Sequence, residues 1–539
     1  MGATKPPRSI GLLLDWAAGD AGRAGPAFVL DRPYDIAPDG GCRYDVAATA
    51  ALVADASAAL HRAGARRGDR VAVVKDNHFD NPLLAAAAAR IGALPAMISS
   101  TVVPEALKAM LGRLQPRVLV ASPGVLGAAA AAGVQLTGAG TSVVAVGAGE
   151  RDVPDAVAFA DMRGGAVPPA DPVPDDEPMI CFHTSGTTGV PKLVVHSAAT
   201  LLGVLTRLET MSIPFLSTRP DDVVATCISF VHGRAITWTY AQLVRPAKEV
   251  VVLADSDPAT VVPVLREHPP TTLEACPNIF QRWEGMPAAH PEAFRRVRAF
   301  VNTFDAVHPR TVRTFLAATP HRMPVWGQVW GQSEIGPATM GLYTRRSVRG
   351  GRARAATSNV GRPIPVVTRV RVVDPQTRRP VPRGAQGIVL VRTRGRCLTY
   401  LGEEDRHAAK DWDGWWNTGD IGIRTRSGAL RIVDREVDLI PGTSGIALES
   451  ALLDRLPEAT EVVVLGVPGR LPVPVVSTQD GTLDEAAWRA ATAGLPAMAE
   501  PVVIGWEEFP RTATWKVRRP TLRRQLLATS ETHGTGRWT

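Results

Sequence analysis

From about residue 45 the chain alternates between helix-like and strand-like hydrophobic patterns. An Ala-rich run predicts a helix, and "GDRVAVVKDN" at 68–77 then reads as a turn followed by an apolar strand. The helix "PLLAAAAARIG" at 82–92 and the strand "ALPAMISS" at 93–100 repeat the unit. Such alternation predicts a mostly parallel sheet covered by helices on both faces. The Pro-rich, acidic stretch "AVPPADPVPDDEP" at 166–178 reads as a linker. A second α/β run follows, with strands at "DVVATCISF", "EVVVLA" and "RMPVWGQVW". After residue 360 short strands such as "TRVRVVD" and "GIVLVRT", separated by turn signals, predict a small β subdomain. Beyond "VDREVDLI" a smaller α+β unit runs onward. The expected organisation is a large N-terminal domain, 1–434, of two parallel-sheet α/β lobes plus the β subdomain, then a small mobile C-terminal domain, 435–539.

Residues 118–149 carry no charged side chain and could be mistaken for a membrane span. Their Gly, Pro and Ser content instead divides them into strand "RVLVAS", helix "GVLGAAAAAG" and strand "SVVAVG". With 45% hydrophobic and 21% charged residues, the composition is that of a soluble multidomain protein. The net charge of +8 is spread along the chain and implies a solvated surface. The one basic run, "KVRRPTLRR" from Lys516 to Arg524, lacks the interleaved aromatics of single-strand binders, so nucleic acid is not an expected partner. Five widely spaced cysteines form neither a disulfide framework nor a metal motif. The opening residues hold only a few apolar positions before Asp15, so no signal peptide is read and a cytoplasmic location is expected.

The most particular stretch is "CFHTSGTTGVPKLVVHS" at 181–197. Backbone N–H groups at glycines, with Ser and Thr hydroxyls, form a concave donor set of the kind phosphate oxygens require. Thr184, Ser185, Gly186, Thr187, Thr188 and Gly189 supply that set, and Val190 and Pro191 separate Gly189 from Lys192, unlike a Walker A loop. These residues resemble the adenylate-forming superfamily of acyl-CoA synthetases, nonribosomal peptide adenylation domains and luciferases. "RRGDRVAVVKDN" at 66–77 and "AARIGALPAMIS" at 88–99 are similar to the family's N-terminal blocks.

The resemblance implies roles for further residues. "WGQSEIG" at 330–336 looks like the family's aromatic-Gly-x-Thr-Glu motif, placing Trp330 on adenine, Ser333 on phosphate and Glu334 on a magnesium ion. "WWNTGD" at 415–420 implies Asp420 on the ribose hydroxyls, and "DREVDLI" at 434–440 implies Arg435 as a second nucleotide contact at the interdomain link. "FPRTATWKVRR" at 509–519 resembles the loop of the catalytic lysine, so Lys516 and Lys192 are the expected cations at the reacting phosphates. "CISFVHG" at 227–233 puts His232 at the border of the acid pocket. His183 and His196 match no motif and read as structural. The implied cofactors are ATP and Mg2+, with CoA as a further possibility.

Four positions depart from the family pattern. Val437 replaces the usual Asp or Lys of the hinge, and "PGTSGIALES" replaces a glycine-rich loop that lines the pantetheine tunnel of thioester-forming members. Thr303-Phe304-Asp305-Ala306 stands where the pocket floor is Gly-Gly-Ala-Pro, adding bulk at Phe304 and charge at Asp305. Alternatively, Phe304 turns into the core and Asp305 caps a helix. Trp515 stands where the lysine loop has glycine.

Three functions are open. The first is adenylation of a carboxylic acid with transfer to CoA or a carrier-protein thiol. The second is a diazotase that activates nitrite and passes it to an aryl amine. The third is a nucleotide-binding pseudo-enzyme with a regulatory or scaffold role, which would have no need to retain Lys192, Glu334, Asp420 and Lys516 together.

Overall fold

Every residue of the strand Arg70–Lys75 after Arg70 is buried. A strand covered on both faces needs apolar side chains at successive positions, which is why this stretch reads as a run rather than an alternation. It is central to an eight-stranded sheet in the order Thr399–Tyr400, Leu193–Ser197, Pro178–His183, Leu94–Ser99, Arg70–Lys75, Val118–Ala121, Ser142–Ala145, Val157–Ala158. Its members from Pro178–His183 to Val157–Ala158 pair in parallel; Leu193–Ser197 pairs antiparallel with Pro178–His183, and the edge strand Thr399–Tyr400 pairs antiparallel with Leu193–Ser197. The computed structural model describes residues 5–19, 25–184, 190–211, 213, 216–349, 357–467 and 469–529.

The charge-free stretch at 118–149 forms the predicted strand, helix and strand, Val118–Ala121, Pro123–Ala131 and Ser142–Ala145. The Ala-rich helix Val46–Arg62 starts at Asp45, whose carboxylate accepts the Ala48 N–H at 2.7 Å, an N-cap worth about 1 kcal/mol. Small side chains let helices close up: a Cβ on Gly11 of helix Ile10–Gly19 would lie 2.5 Å from the Arg90 backbone nitrogen. Lys75 ends its strand fully buried, with Asp35 and Asp80 each 2.6 Å from its ammonium. Burial of that charge is tolerable only because both carboxylates are present.

The chain divides into two compact units. One contains Met1–Glu274, Gln332–Gly336 and Thr393–Ala409; the other contains Ala275–Gly331, Pro337–Arg392 and Lys410–Thr539. In the second unit the strands Thr368–Val373, Gln386–Thr393, Trp415–Arg424, Leu430–Arg435, Asn359–Pro363, Gly336–Tyr343, Val325–Gln332 and Ala299–Asn302 lie side by side in that order. The strands expected after residue 360 are antiparallel and turn-connected, and they continue one sheet with their predecessors through the pairing of Thr339 with Pro363.

The C-terminal residues build a further three-stranded sheet from Ala459–Leu465, Val473–Thr478 and Val502–Val503. Alternate residues of Ala459–Leu465 face two cores. Val462 and Val464 pack with Leu448, Leu452 and Trp488, while Val463 and Leu465 pack with Phe509 and Leu522. Each such buried side chain contributes roughly 1.5–3 kcal/mol. The stretch "PGTSGIALES" is mostly helical: Ser444 caps helix Gly445–Arg455 by accepting the Ala447 N–H. The basic run is partly internal too, because Arg519 is paired with the buried Glu449 at 2.7 Å and donates to the Val464 carbonyl at 3.0 Å. The chain is a mixed α/β protein with a large N-terminal part and a small C-terminal part. Among the described residues no helix is long and apolar enough to cross a membrane.

Candidate active site

Thr184 and Lys192 face each other at the ends of two adjacent antiparallel strands. The Thr184 N–H donates to the Lys192 carbonyl at 3.0 Å, and the Lys192 N–H donates to Thr184 Oγ1 at 3.1 Å. The expected phosphate donors Ser185, Gly186, Thr187, Thr188 and Gly189 lie outside the described residues. Lys192 Nζ sits 4.7 Å from the centre of the Tyr400 ring, a favourable cation–π distance. Tyr400 in turn donates its hydroxyl to Glu334 Oε1 at 2.6 Å. One ring therefore joins the loop lysine to the candidate metal carboxylate.

Tyr400 reaches this place because Thr399–Tyr400 pairs with Leu193–Ser197, with Tyr400 opposite Val194. Burial and the Glu334 carboxylate hold its phenol well above the usual tyrosine range, so it remains a donor. The Glu334 backbone is pinned by the Cys397 N–H at 2.7 Å. A magnesium ion keeps water and substrate phosphates as most of its ligands and needs one or two protein carboxylate oxygens, which is what Glu334 offers.

The two histidines without a motif both have work near these residues. His196 donates from Nε2 to the Ser333 carbonyl at 2.8 Å, leaving Nδ1 to the Thr200 hydroxyl at 3.1 Å. Burial lowers its pKa to about 4. An unfolded histidine takes a proton near pH 6.5 while this one refuses it until about pH 4, so folding stability falls as pH drops between those values. Between pH 7 and 5 the loss attributable to His196 is about 2 kcal/mol. Denaturant titrations at the two pH values should show it, and His196→Gln should flatten the slope; an equal slope in both proteins would remove His196 as its source.

His183 accepts the Ser99 N–H at Nε2, 3.2 Å away, and donates from Nδ1 to the Thr184 carbonyl at 2.7 Å. Its ring lies 4.9 Å from that of His232, the N-cap residue of helix Gly233–Val244. His232 is buried. The candidate border of the acid pocket and the start of the phosphate loop are thus in contact through His183.

In the second unit, Ala299–Asn302 and Val325–Gln332 are parallel neighbours, with Asn302 opposite Gln328. Thr303, Phe304 and Asp305 follow the carboxyl end of the first, and Trp330 lies near the carboxyl end of the second, where ligands bind in open α/β sheets. Trp330, Thr303, Phe304 and Asp305 are each half-buried. Phe304 has φ +79° and centres a three-residue turn closed by the Asp305 N–H to the Thr303 carbonyl at 3.1 Å. This form is rare and strained without glycine. Asp305 does not cap a helix: its carboxylate accepts the Ala306 N–H at 2.9 Å, and helix Pro309–Ala318 is preceded by His308.

Asp420 and Arg435 are directly opposite each other on paired strands, with Arg435 Nε donating to Asp420 Oδ1 at 3.2 Å. Val437, just past Arg435, is 61% exposed in the short turn Glu436–Asp438. Lys516 ends a tight hairpin: the Trp515 N–H donates to the Thr512 carbonyl at 2.9 Å, and the Thr512 N–H to the Lys516 carbonyl at 2.8 Å. Trp515 has φ +63°. This pattern is a turn followed by one left-handed residue, a position that glycine normally fills. At Phe304 and Trp515, two of the positions where an expected glycine is absent, the backbone is left-handed; each costs of order 1–3 kcal/mol.

In the first unit a lysine and a carboxylate joined by a buried tyrosine, and in the second an Asp–Arg strand pair, are each suited to contacting a nucleotide. The chain belongs to the AMP-binding enzyme family, whose model matches residues 25–401; it is an adenylate-forming ligase. It is 39% identical over 517 residues, 92% of each chain, to 3-amino-2-hydroxy-4-methoxybenzoate diazotase of Streptomyces cremeus. It is 28% identical over 487 residues, 86% of this chain and 87% of the relative, to a long-chain-fatty-acid–CoA ligase of Thermus thermophilus. Its fold resembles that of the anthranilate CoA ligase AuaEII in complex with anthranoyl-AMP, with a TM-score of 0.80 at 18% identity over 98% of this chain and all of that one.

Proposed function

We propose that this protein is an ATP- and Mg2+-dependent diazotase that activates nitrite and delivers it to an aryl amine. The observation that carries this reading is the 39% identity with a diazotase along 92% of both chains. In the proposed reaction a nitrite oxygen attacks the α-phosphate of ATP, pyrophosphate leaves, and a nitrosyl–AMP anhydride forms. The amine nitrogen then attacks the nitrosyl nitrogen and releases AMP; loss of water from the resulting nitrosamine, after protonation, yields the diazonium group.

Lys192 and the 184–189 loop hold the β- and γ-phosphates, Trp330 covers adenine, Ser333 contacts phosphate, and Asp420 with Arg435 grips the ribose. Glu334 holds the magnesium ion, which when bound neutralises phosphate charge. Lys516, carried by a small lid domain at 435–539, offsets charge developing at the α-phosphate. His232, Thr303, Phe304 and Asp305 line the acid pocket, where the strained Phe304 takes space an organic acid would need. Val437 and the helical "PGTSGIALES" support an acceptor other than a pantetheine thiol.

The second reading, acid activation with transfer to CoA or a carrier thiol, is supported by the 28% identity with a fatty acid ligase. Pyrophosphate release separates the two when aliphatic acids, aryl acids, amino acids and nitrite are each tried with and without CoA or an aryl amine. Release with nitrite, completed only by the amine, is expected, and Phe304→Gly should extend release to bulkier acids. Release with an organic acid and a thioester on adding CoA would refute the diazotase.

A further inference from the structure

Trp515 is the departure from the family pattern that the proposed reaction does not use. It occupies a left-handed position at a turn where glycine costs nothing, so a bulky residue there must be held by its surroundings. Those surroundings are specific. The Trp515 indole lies 5.5 Å from that of Trp506, with 31° between their planes. Arg511 ties the pair together: its guanidinium sits 4.2 Å from the Trp506 ring centre and donates to the Trp515 carbonyl at 3.2 Å. The same guanidinium forms a 3.0 Å ion pair with the buried Glu461.

These contacts extend from the lysine hairpin to helix Pro277–Arg282. Asn278 donates to Glu461 at 3.1 Å, Gln281 donates to the Thr460 carbonyl at 2.6 Å, and the Arg282 guanidinium lies 4.8 Å from the Trp506 ring centre. Trp506 therefore has arginines from both parts of the chain against its ring. Cation–π attraction strengthens with desolvation, and of the two arginines Arg511 is the more buried.

We infer that Trp515 is a positioning residue for Lys516: its tilted ring contact with Trp506 clamps the lysine hairpin to helix Pro277–Arg282. The inference rests on reading Lys516 as the catalytic lysine. A glycine hairpin would let that ammonium wander, whereas an indole anchored one residue before it restricts the lysine backbone to one place. The clamp also opposes any rotation of residues 435–529 that would separate Trp506 from Arg282.

The test uses full-length protein with Trp515→Gly, Trp515→Phe and Trp506→Ala. Trp515→Gly should lower kcat for pyrophosphate release about tenfold or more while KM for ATP stays within about twofold, since misplacement of a catalytic group by about 1 Å can cost about a hundredfold. It should also abolish the far-ultraviolet exciton couplet of the indole pair in circular dichroism and speed tryptic cleavage between Lys516 and Arg519. Trp515→Phe, which keeps a ring on Trp506, should restore most of the rate, and Trp506→Ala should reproduce the loss without altering the left-handed residue. Wild-type kcat and cleavage rate in both Trp515→Gly and Trp506→Ala would overturn the inference. Cleavage and dichroism need no substrate, so their outcome is independent of whether nitrite or an organic acid is activated. If Trp515→Gly does not fold, Trp506→Ala decides alone.

Discussion

Lys516→Ala is expected to lower pyrophosphate release by roughly a hundred- to a thousandfold, the usual loss when one preorganised charge stabiliser is removed. The reason is where charge develops. As an anionic nucleophile approaches an α-phosphate that already bears negative oxygens, the crowded transition state gains from a nearby ammonium more than the bound ground state does. ATP binding should change little, because the proposed ATP contacts at Lys192, Asp420 and Arg435 do not depend on Lys516. The hairpin itself should survive, since its bonds between Thr512 and Lys516 run through backbone atoms. Initial rates alongside calorimetric ATP binding separate these effects. A variant with wild-type rates would take the lysine out of the mechanism.

The second large effect is expected at Glu334. Glu334→Gln keeps the size of the side chain and leaves a carbonyl to accept the Tyr400 hydroxyl, which now donates at 2.6 Å. The loop should therefore stay in place, and the substitution removes only charge. A hard divalent cation prefers an anionic oxygen, so half-saturating magnesium for pyrophosphate release should rise by about tenfold or more, equivalent to at least ~1.4 kcal/mol. Magnesium-dependent thermal stabilisation in the presence of ATP should weaken in parallel. An unchanged magnesium titration would assign the ion to other ligands.

Much of this candidate site could be proposed from short stretches of chain. The Thr184–Lys192 stretch, "WGQSEIG" and "WWNTGD" each carry their chemistry within a few residues, and the resemblance assigned roles to their members. Tyr400 and His196 escaped that reading. Tyr400 acts on a carboxylate 66 positions away, and His196 holds a carbonyl 137 positions away. No motif contains either pair, and a lone Tyr or His in an apolar strand looks like any core residue.

Hydrophobic period and turn chemistry by themselves determined the helices, the strands and the α/β class, because these depend on neighbours within a turn or two of chain. Local motifs likewise determined the nucleotide-binding character. Only the tertiary structure decided that Tyr400 bridges Lys192 and Glu334, that Phe304 and Trp515 take a left-handed backbone, and that Arg519 of a basic run turns inward to pair with the buried Glu449. Those outcomes come from strand pairings and packing between distant segments. The free energy that tolerates a strained φ or a buried charge lies in the partners, and a one-dimensional pattern does not say which partners meet.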